Sequence, residues 1–110
     1  MAPIFYNVFL TVDPTVEQAW RQWMIEVHIP DVLARPGFTG ATMYIADPMT
    51  TGAEGGKAQY VNAYLVESRE ALEAYLKSPE AANFRTQHQE KFGKYASATR
   101  AVWTPVKQWK

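Results

Sequence analysis

His28 and His88 are the residues of this chain best suited to move a proton, since imidazole is the side chain whose ordinary pKa lies near neutrality. His88 falls between Phe84 and Phe92 at helical spacing, so it shares the apolar side of a helix and points at whatever that helix packs on. A buried imidazole needs a partner: His88 is either a core histidine bonded to a carbonyl or a tyrosine, or a group that meets a ligand. His28 stands in H-I-P-D near the expected end of an earlier helix, where the partial negative charge of the terminus favours a protonated ring. Capping by His28, with Asp31 forming the turn, and catalysis are both open there. Were the two rings close in space they would form a general acid/base pair, with Asn7 as a further candidate polar group.

A second constellation comprises Tyr44, Tyr60, Asn62, Tyr64 and Arg100, which strand alternation places with Asn7 on one sheet face. Phenols, amides and a guanidinium among aromatic rings suit a polar dimer interface. They equally suit a ligand-binding pocket that orients an aromatic molecule. No metal site is expected, because the two histidines lack H-x-x-x-H or H-x-x-E-H spacing and the chain has no cysteine. G-x-G-x-x-G, G-x-x-x-x-G-K and G-x-S-x-G are also missing, so nucleotide, phosphate and serine-hydrolase chemistry lack their usual frame.

These residues must be positioned by a small set of elements. Alternation over Ile4 to Val12 predicts a strand with Ile4, Tyr6, Val8 and Leu10 on one face and Phe5, Asn7, Phe9 and Thr11 on the other. Asp13 or Thr15 is expected to cap the helix that follows. Val16, Trp20, Trp23 and Val27 form the buried stripe of that helix, and within the stretch Trp20 to Leu33 Pro30 should end the regular helix near His28 and Ile29, with one further turn over Asp31 to Ala34. Strands are predicted over Phe38 to Ala46 and Ala58 to Val66, separated by a mobile loop from Asp47 to Gly56. Ser68 and Ser78-Pro79 open two helical segments, the second running to about Phe92 and Gly93, and a final strand covers Thr99 to Val106. The order β-α-β-β-α-β predicts an α+β, ferredoxin-like domain over residues 1–110: a four-stranded antiparallel sheet with helices on one face. The other face, expected to hold Phe5, Asn7, Phe9, Phe38, Thr42, Tyr44, Tyr60, Asn62, Tyr64, Arg100 and Val102, is too aromatic to stay bare. A second copy of the chain would cover it.

Composition narrows the class. A chain of 110 residues with 47% hydrophobic content and net charge +0 supports one core and offers no basic surface for nucleic acid or an anionic membrane. The absence of cysteine agrees with a reducing, cytoplasmic setting, and the N-terminus is a poor signal peptide.

The stretches Tyr6-Asn7-Val8, Trp20-x-x-Trp23-Met24-x-Glu26-x-His28-Ile29-Pro30-Asp31-Val32-Leu33-Ala34, Gly37-Phe38 and His88-x-x-x-Phe92-Gly93 resemble, in this order, an uncharacterised bacterial domain-of-unknown-function family in the dimeric α+β-barrel superfamily. The loop after Asp47 and the tail Val106 to Lys110 lie outside the resemblance. It implies two ferredoxin-like sheets meeting face to face in a homodimer. The superfamily it resembles includes quinone-forming and haem-degrading monooxygenases, isomerases and EthD-like proteins, whose H-x-P element is similar to His28-Ile29-Pro30. The reading is therefore a homodimer that binds a small aromatic or apolar molecule without a cofactor. The alternative is a cofactor-independent or haem-using monooxygenase or isomerase, with His88 as the residue to test against haem.

Overall fold

The computed structural model describes residues 3–47, 49 and 56–109. Its elements are β1 (Ile4–Val12), α1 (Glu17–Trp23), a π-helical turn (Met24–His28), α2 (Ile29–Leu33), β2 (Phe38–Ile45), β3 (Ala58–Val66), α3 (Arg69–Leu76), α4 (Pro79–Phe92) and β4 (Ala96–Trp103). The four strands form one antiparallel sheet in the order β2-β3-β1-β4, the α+β ferredoxin-like arrangement expected from the sequence. The helices pack on one face, and among the described residues no element covers the other. Most of the loop expected from Asp47 to Gly56 lies outside the described residues.

Local chemistry explains most boundaries. Ser68 and Ser78 cap α3 and α4 as expected, accepting hydrogen bonds from the N–H groups of Ala71 and Ala81, each at 3.1 Å. The first helix starts later than Asp13 or Thr15 would place it. Asp13 Oδ1 instead accepts from Thr15 N at 2.9 Å and Thr15 Oγ1 at 2.7 Å, closing a small turn before Glu17. β4 is shifted toward the N-terminus relative to the expected Thr99 to Val106, and Thr104-Pro105 lie beyond its end. It is an edge strand, where a nearby proline is tolerated.

The largest departure lies at Pro30. The helix does not stop there: it widens, and the Ile29 N–H reaches back five residues to the Met24 carbonyl. Pro30 then enters the first turn of α2, where its missing N–H costs little. The extra residue in the turn shifts everything beyond it around the axis by roughly 100°, the rotation of one helical position. Trp20, before the shift, is buried as expected, with Met24 buried beside it, and Trp23 is half-buried, but Val27 is exposed rather than continuing the stripe. His28 turns inward in its place.

Strand pairing also corrects the expected faces. Tyr6 pairs with Tyr64 and Val102, Val8 with Asn62 and Arg100, and Leu10 with Tyr60 and Ala98. Tyr60, Asn62, Tyr64, Arg100 and Val102 therefore share the helix-covered side with Tyr6, not the open side with Asn7. Alternation within β1 and β3 was right; the phase of β3 and β4 relative to β1 is fixed by cross-strand partners, and a one-residue slip exchanges the faces. Phe38 changes sides for a separate reason. A bulge between Phe38 and Gly40 breaks the period, so Phe38 packs in the core against Tyr64 while Thr42 and Tyr44 face outward. The open face is thus Phe5, Asn7, Phe9, Thr42, Tyr44, Val61, Ala63, Leu65, Thr99, Ala101 and Trp103, and is more aliphatic at β3 than expected.

Two apolar clusters hold the helices to the sheet. One gathers Ile4, Tyr6, Val32, Phe38, Tyr64, Val66, Leu72 and Phe84; the other Leu10, Val12, Trp20, Met24, Tyr60, Phe92 and Ala96. Val8 and Ile29 touch both. Trp20 anchors the second, with its ring 4.7 Å from that of Tyr60. Gly37, at φ 89°, accepts the Glu67 N–H through its carbonyl, and a Cβ there would collide with Ala71, so the entry to β2 requires glycine.

Trp20→Ala should destabilise the protein by about 3–5 kcal/mol, as for other fully buried aromatic truncations. Val27→Ala should change stability by less than about 0.5 kcal/mol, the range of exposed positions. Urea titration checks both, and a loss above about 1 kcal/mol at Val27 would mean the helix keeps regular α phase through residue 27.

Candidate functional site

Between the two clusters the helices and sheet do not close completely. A cavity of about 390 Å³ remains, floored by Tyr6, Val8, Leu10, Asn62 and Tyr64 from the sheet and roofed by Met24, His28, Val32, Phe84 and His88. Exposed Arg85, Gln89, Ser97 and Arg100 mark its mouth between α4 and β4. The walls are aromatic: Tyr6 stacks on Tyr64 at 5.9 Å and meets Tyr75 edge-on at 6.5 Å.

The two histidines, distant in sequence, meet over Trp23, whose ring is stacked 5.2 Å from His28 and lies 6.1 Å from His88. The π-helical turn brings His28 there, and π-turns of this kind are frequent at functional sites. Trp20 Nε1 donates to His88 Nε2 at 3.0 Å, which makes that nitrogen the acceptor and leaves the proton of the neutral ring on Nδ1. His88 thus has the partner that a core histidine needs, and that partner is a tryptophan. His88, the residue to test against haem, thus has its Nε2 engaged by the Trp20 N–H. His28 is not at a helix C-terminus, because the helix continues to Leu33. Its ring is gripped between Trp23 and the edge of Phe84, and its Nδ1 is buried with no hydrogen-bond partner.

Burial governs the protonation of these groups. It lowers the His28 pKa to about 4, helped by His88 and then by Arg100, and it lowers His88 in the same direction, again helped by Arg100. Both rings are neutral near pH 7, the reverse of the helix-terminus expectation for His28. Burial also raises the phenols: Tyr6 goes up, with Arg100 and Arg85 pulling it partly back, Tyr75 is pushed up to about 12, and Tyr64 rises further. The Tyr64 hydroxyl and Asn62 Oδ1 are buried without partners, although the Asn62 amide lies close enough to temper the rise at Tyr64. Asn62 Nδ2 makes only a weak bond to Met24 Sδ at 3.5 Å.

The structure therefore assembles His28, His88, Asn62, Tyr64 and Arg100 around one cavity and separates the other candidates from it. Asn7 points to the opposite face of the sheet, where it cannot act with the histidines. Tyr44 is exposed on that same open face. Tyr60 is locked at the far end of the core, donating to Glu17 Oε2 at 2.6 Å and accepting from Arg21 Nε at 3.0 Å and Nη2 at 2.7 Å. Sequence reasoning missed Tyr6, Tyr75 and Arg85. The available signal for Tyr6 was a hydroxyl on an otherwise apolar strand face; Tyr75 and Arg85 looked like an ordinary stripe residue and an ordinary surface charge. Among the described residues, no group of three or more His, Cys, Asp or Glu could hold a metal ion.

Stability should fall with acidification. The unfolded chain takes up the His28 proton from about pH 6.5 downward, whereas the folded chain takes it up only near pH 4. The contribution is complete above pH 6.5 and is lost progressively toward pH 4, to at most about 3 kcal/mol for a shift of this size. Urea midpoints of the native protein and of His28→Asn from pH 7 to pH 4.5 check this: the native protein should lose more, and parallel curves would show that the fold leaves the His28 pKa unshifted.

Comparison with other proteins places the fold. The family model described as Domain of unknown function (DUF4286) matches residues 3–106. No curated protein matches the chain. Among solved structures, a monooxygenase of Streptomyces coelicolor in complex with nanaomycin D is similar with a TM-score of 0.71 at 19% identity, covering 99% of this chain and 92% of that one. The cofactor-independent oxygenase SnoaB of Streptomyces nogalater has a TM-score of 0.65 at 14% identity, covering 98% and 97%. An EthD-family protein of Bacillus halodurans has 0.63 at 16%, covering 89% and 96%. These identities show a shared fold and carry no activity across. With the family model spanning nearly the whole chain, the protein belongs to the domain-of-unknown-function family DUF4286, on an α+β fold it shares with monooxygenase-like barrel proteins.

Proposed function

We propose that this protein is a homodimeric small-molecule-binding protein whose cavity holds a planar aromatic ligand. The observation that carries the reading is a 390 Å³ space walled by aromatic rings, on whose lining residues three buried polar atoms, His28 Nδ1, Asn62 Oδ1 and Tyr64 OH, have no partner. Unpaired buried polar groups are costly, and a ligand oxygen or N–H reaching them would offset that cost. The likeness to a monooxygenase that binds nanaomycin D supports a ligand of this shape. The homodimer is supported by the open face, where Phe5, Tyr44 and Trp103 are 40%, 56% and 57% exposed beside Phe9, Val61 and Leu65.

Binding is preferred to catalysis on acidity grounds. A general base works best with a pKa near the operating pH, and burial takes His28 to about 4, which makes it a weak acceptor for a phenolic proton. A second reading, a cofactor-independent monooxygenase or isomerase, draws on the same unprotonated His28 with its unpartnered Nδ1. Oxygen uptake with a naphthoquinol, lost in His28→Gln, would replace the binding reading by the enzymatic one.

Titration with 2-naphthol should raise the melting temperature of the native protein, and Ala98→Trp, which fills the cavity from β4, should abolish the rise while leaving the fold intact by circular dichroism. No response in the native protein would refute the pocket. Light scattering should give a dimer mass, and Phe9→Glu should return a monomer by placing an unpaired charge in the interface. Tyr64, once expected at that interface, faces the helices and is not the residue to change.

A further inference from the structure

The cavity mouth carries charge of one sign only. Arg85 and Arg100 both border it, and none of its lining residues is Asp or Glu. Of the other arginines, Arg21 pairs with Glu17 at 3.8 Å and Arg35 with Glu80 at 3.5 Å, while Arg69 on α3, like the two mouth arginines, has no carboxylate within 4 Å among the described residues. The surplus is local, since the whole chain has eleven basic and eleven acidic side chains and a net charge of +0. It is not offset from within, because the phenols beside it are held protonated by burial and so bring no negative charge.

Resting on the small-molecule reading above, we propose that the ligand is an aromatic carboxylate, its ring inside the cavity and its carboxylate held at the mouth by Arg85 and Arg100. A guanidinium presents a planar fork of donors that matches a carboxylate, with a charge fixed at any physiological pH. The depth of the site suits the rest of the molecule: Tyr6, Tyr75 and Phe84 offer ring faces and edges, and His28 and His88, both neutral, place no second cation in the interior. The position of Arg100 favours a shared anion over a chance surface charge. It projects from β4 on the helix side, opposite Val8, and its field reaches Tyr6, Tyr75, His28 and His88. Arg85, from α4, acts on the same two phenols, Tyr6 and Tyr75. Two cations from separate elements thus converge on one entrance.

The test compares 2-naphthoate with its neutral analogue 2-naphthamide by isothermal titration, on the native protein and on the Arg85→Gln/Arg100→Gln double variant. Both positions are exposed, so the variant should fold normally by circular dichroism. The native protein should bind the carboxylate at least about tenfold more tightly than the amide, with a preference that shrinks as salt screens the pair. The double variant should lose the preference and keep its affinity for the amide. Equal affinity for the two in the native protein, or a preference that survives in the double variant, overturns the carboxylate assignment while leaving the pocket itself standing. If neither compound binds, both the assignment and the small-molecule reading fail.

Discussion

Pro30 has no N–H to give, and the helix around it is built to do without one. In a regular α-helix its ring would clash with the carbonyl four residues back and leave that carbonyl without its bond. Here the chain takes one extra residue into the preceding turn, so that Ile29 bonds to Met24 and Pro30 arrives where no N–H is needed. The rest of the site depends on that accommodation. Trp20 and Met24 are set by the phase before the turn; His28 and Val32 by the phase after it. Without the change of phase, Val27 would face the sheet, and His28 would not stack on Trp23 or meet His88.

Local signals in the sequence were readable because they are local. Serine caps, the Ser78-Pro79 helix start, alternation within β1 and β3 and the overall element order all depend on a few neighbouring residues. What could not be read is relational. Alternation says that Tyr60, Asn62 and Tyr64 share a face but not which one, and the apolar look of Val61, Ala63 and Leu65 pointed to the wrong side. The aliphatic set lies on the uncovered face, while the polar and aromatic set lines the cavity. The bulge at Phe38 and the π-turn at Met24 to His28 each insert a single residue into a period, and both are invisible to a method that assumes the period. The candidate site was legible as a list of residue types and wrong as a grouping: His28 and His88 join Asn62, Tyr64 and Arg100 around one cavity, while Asn7, Tyr44 and Tyr60 lie away from it.

Burial and charge set the chemistry the cavity can offer. The interior holds its imidazoles neutral and its phenols protonated, so it presents hydrogen-bonding groups without charge, and all charge is confined to the entrance. That division suits recognition of a molecule with an apolar body and one polar end. It suits proton abstraction less well, because the same desolvation that keeps His28 neutral also weakens it as a base.

Val8 and Ile29 pack against both apolar clusters, His28 is held between Trp23 of one side and Phe84 of the other, and the cavity occupies the gap between the clusters. Cohesion is concentrated at the ends of the sheet, in Trp20 with Tyr60 on one side and Phe38 with Tyr64 on the other. The middle is under looser constraint. Residues such as Gln89 and Ser97 line the hollow and belong to neither cluster, so the shape of the hollow can drift while the scaffold persists. A fold arranged in this way can be re-specialised through a handful of substitutions, which offers a physical reason for one architecture to recur in proteins that share less than a fifth of this chain's sequence.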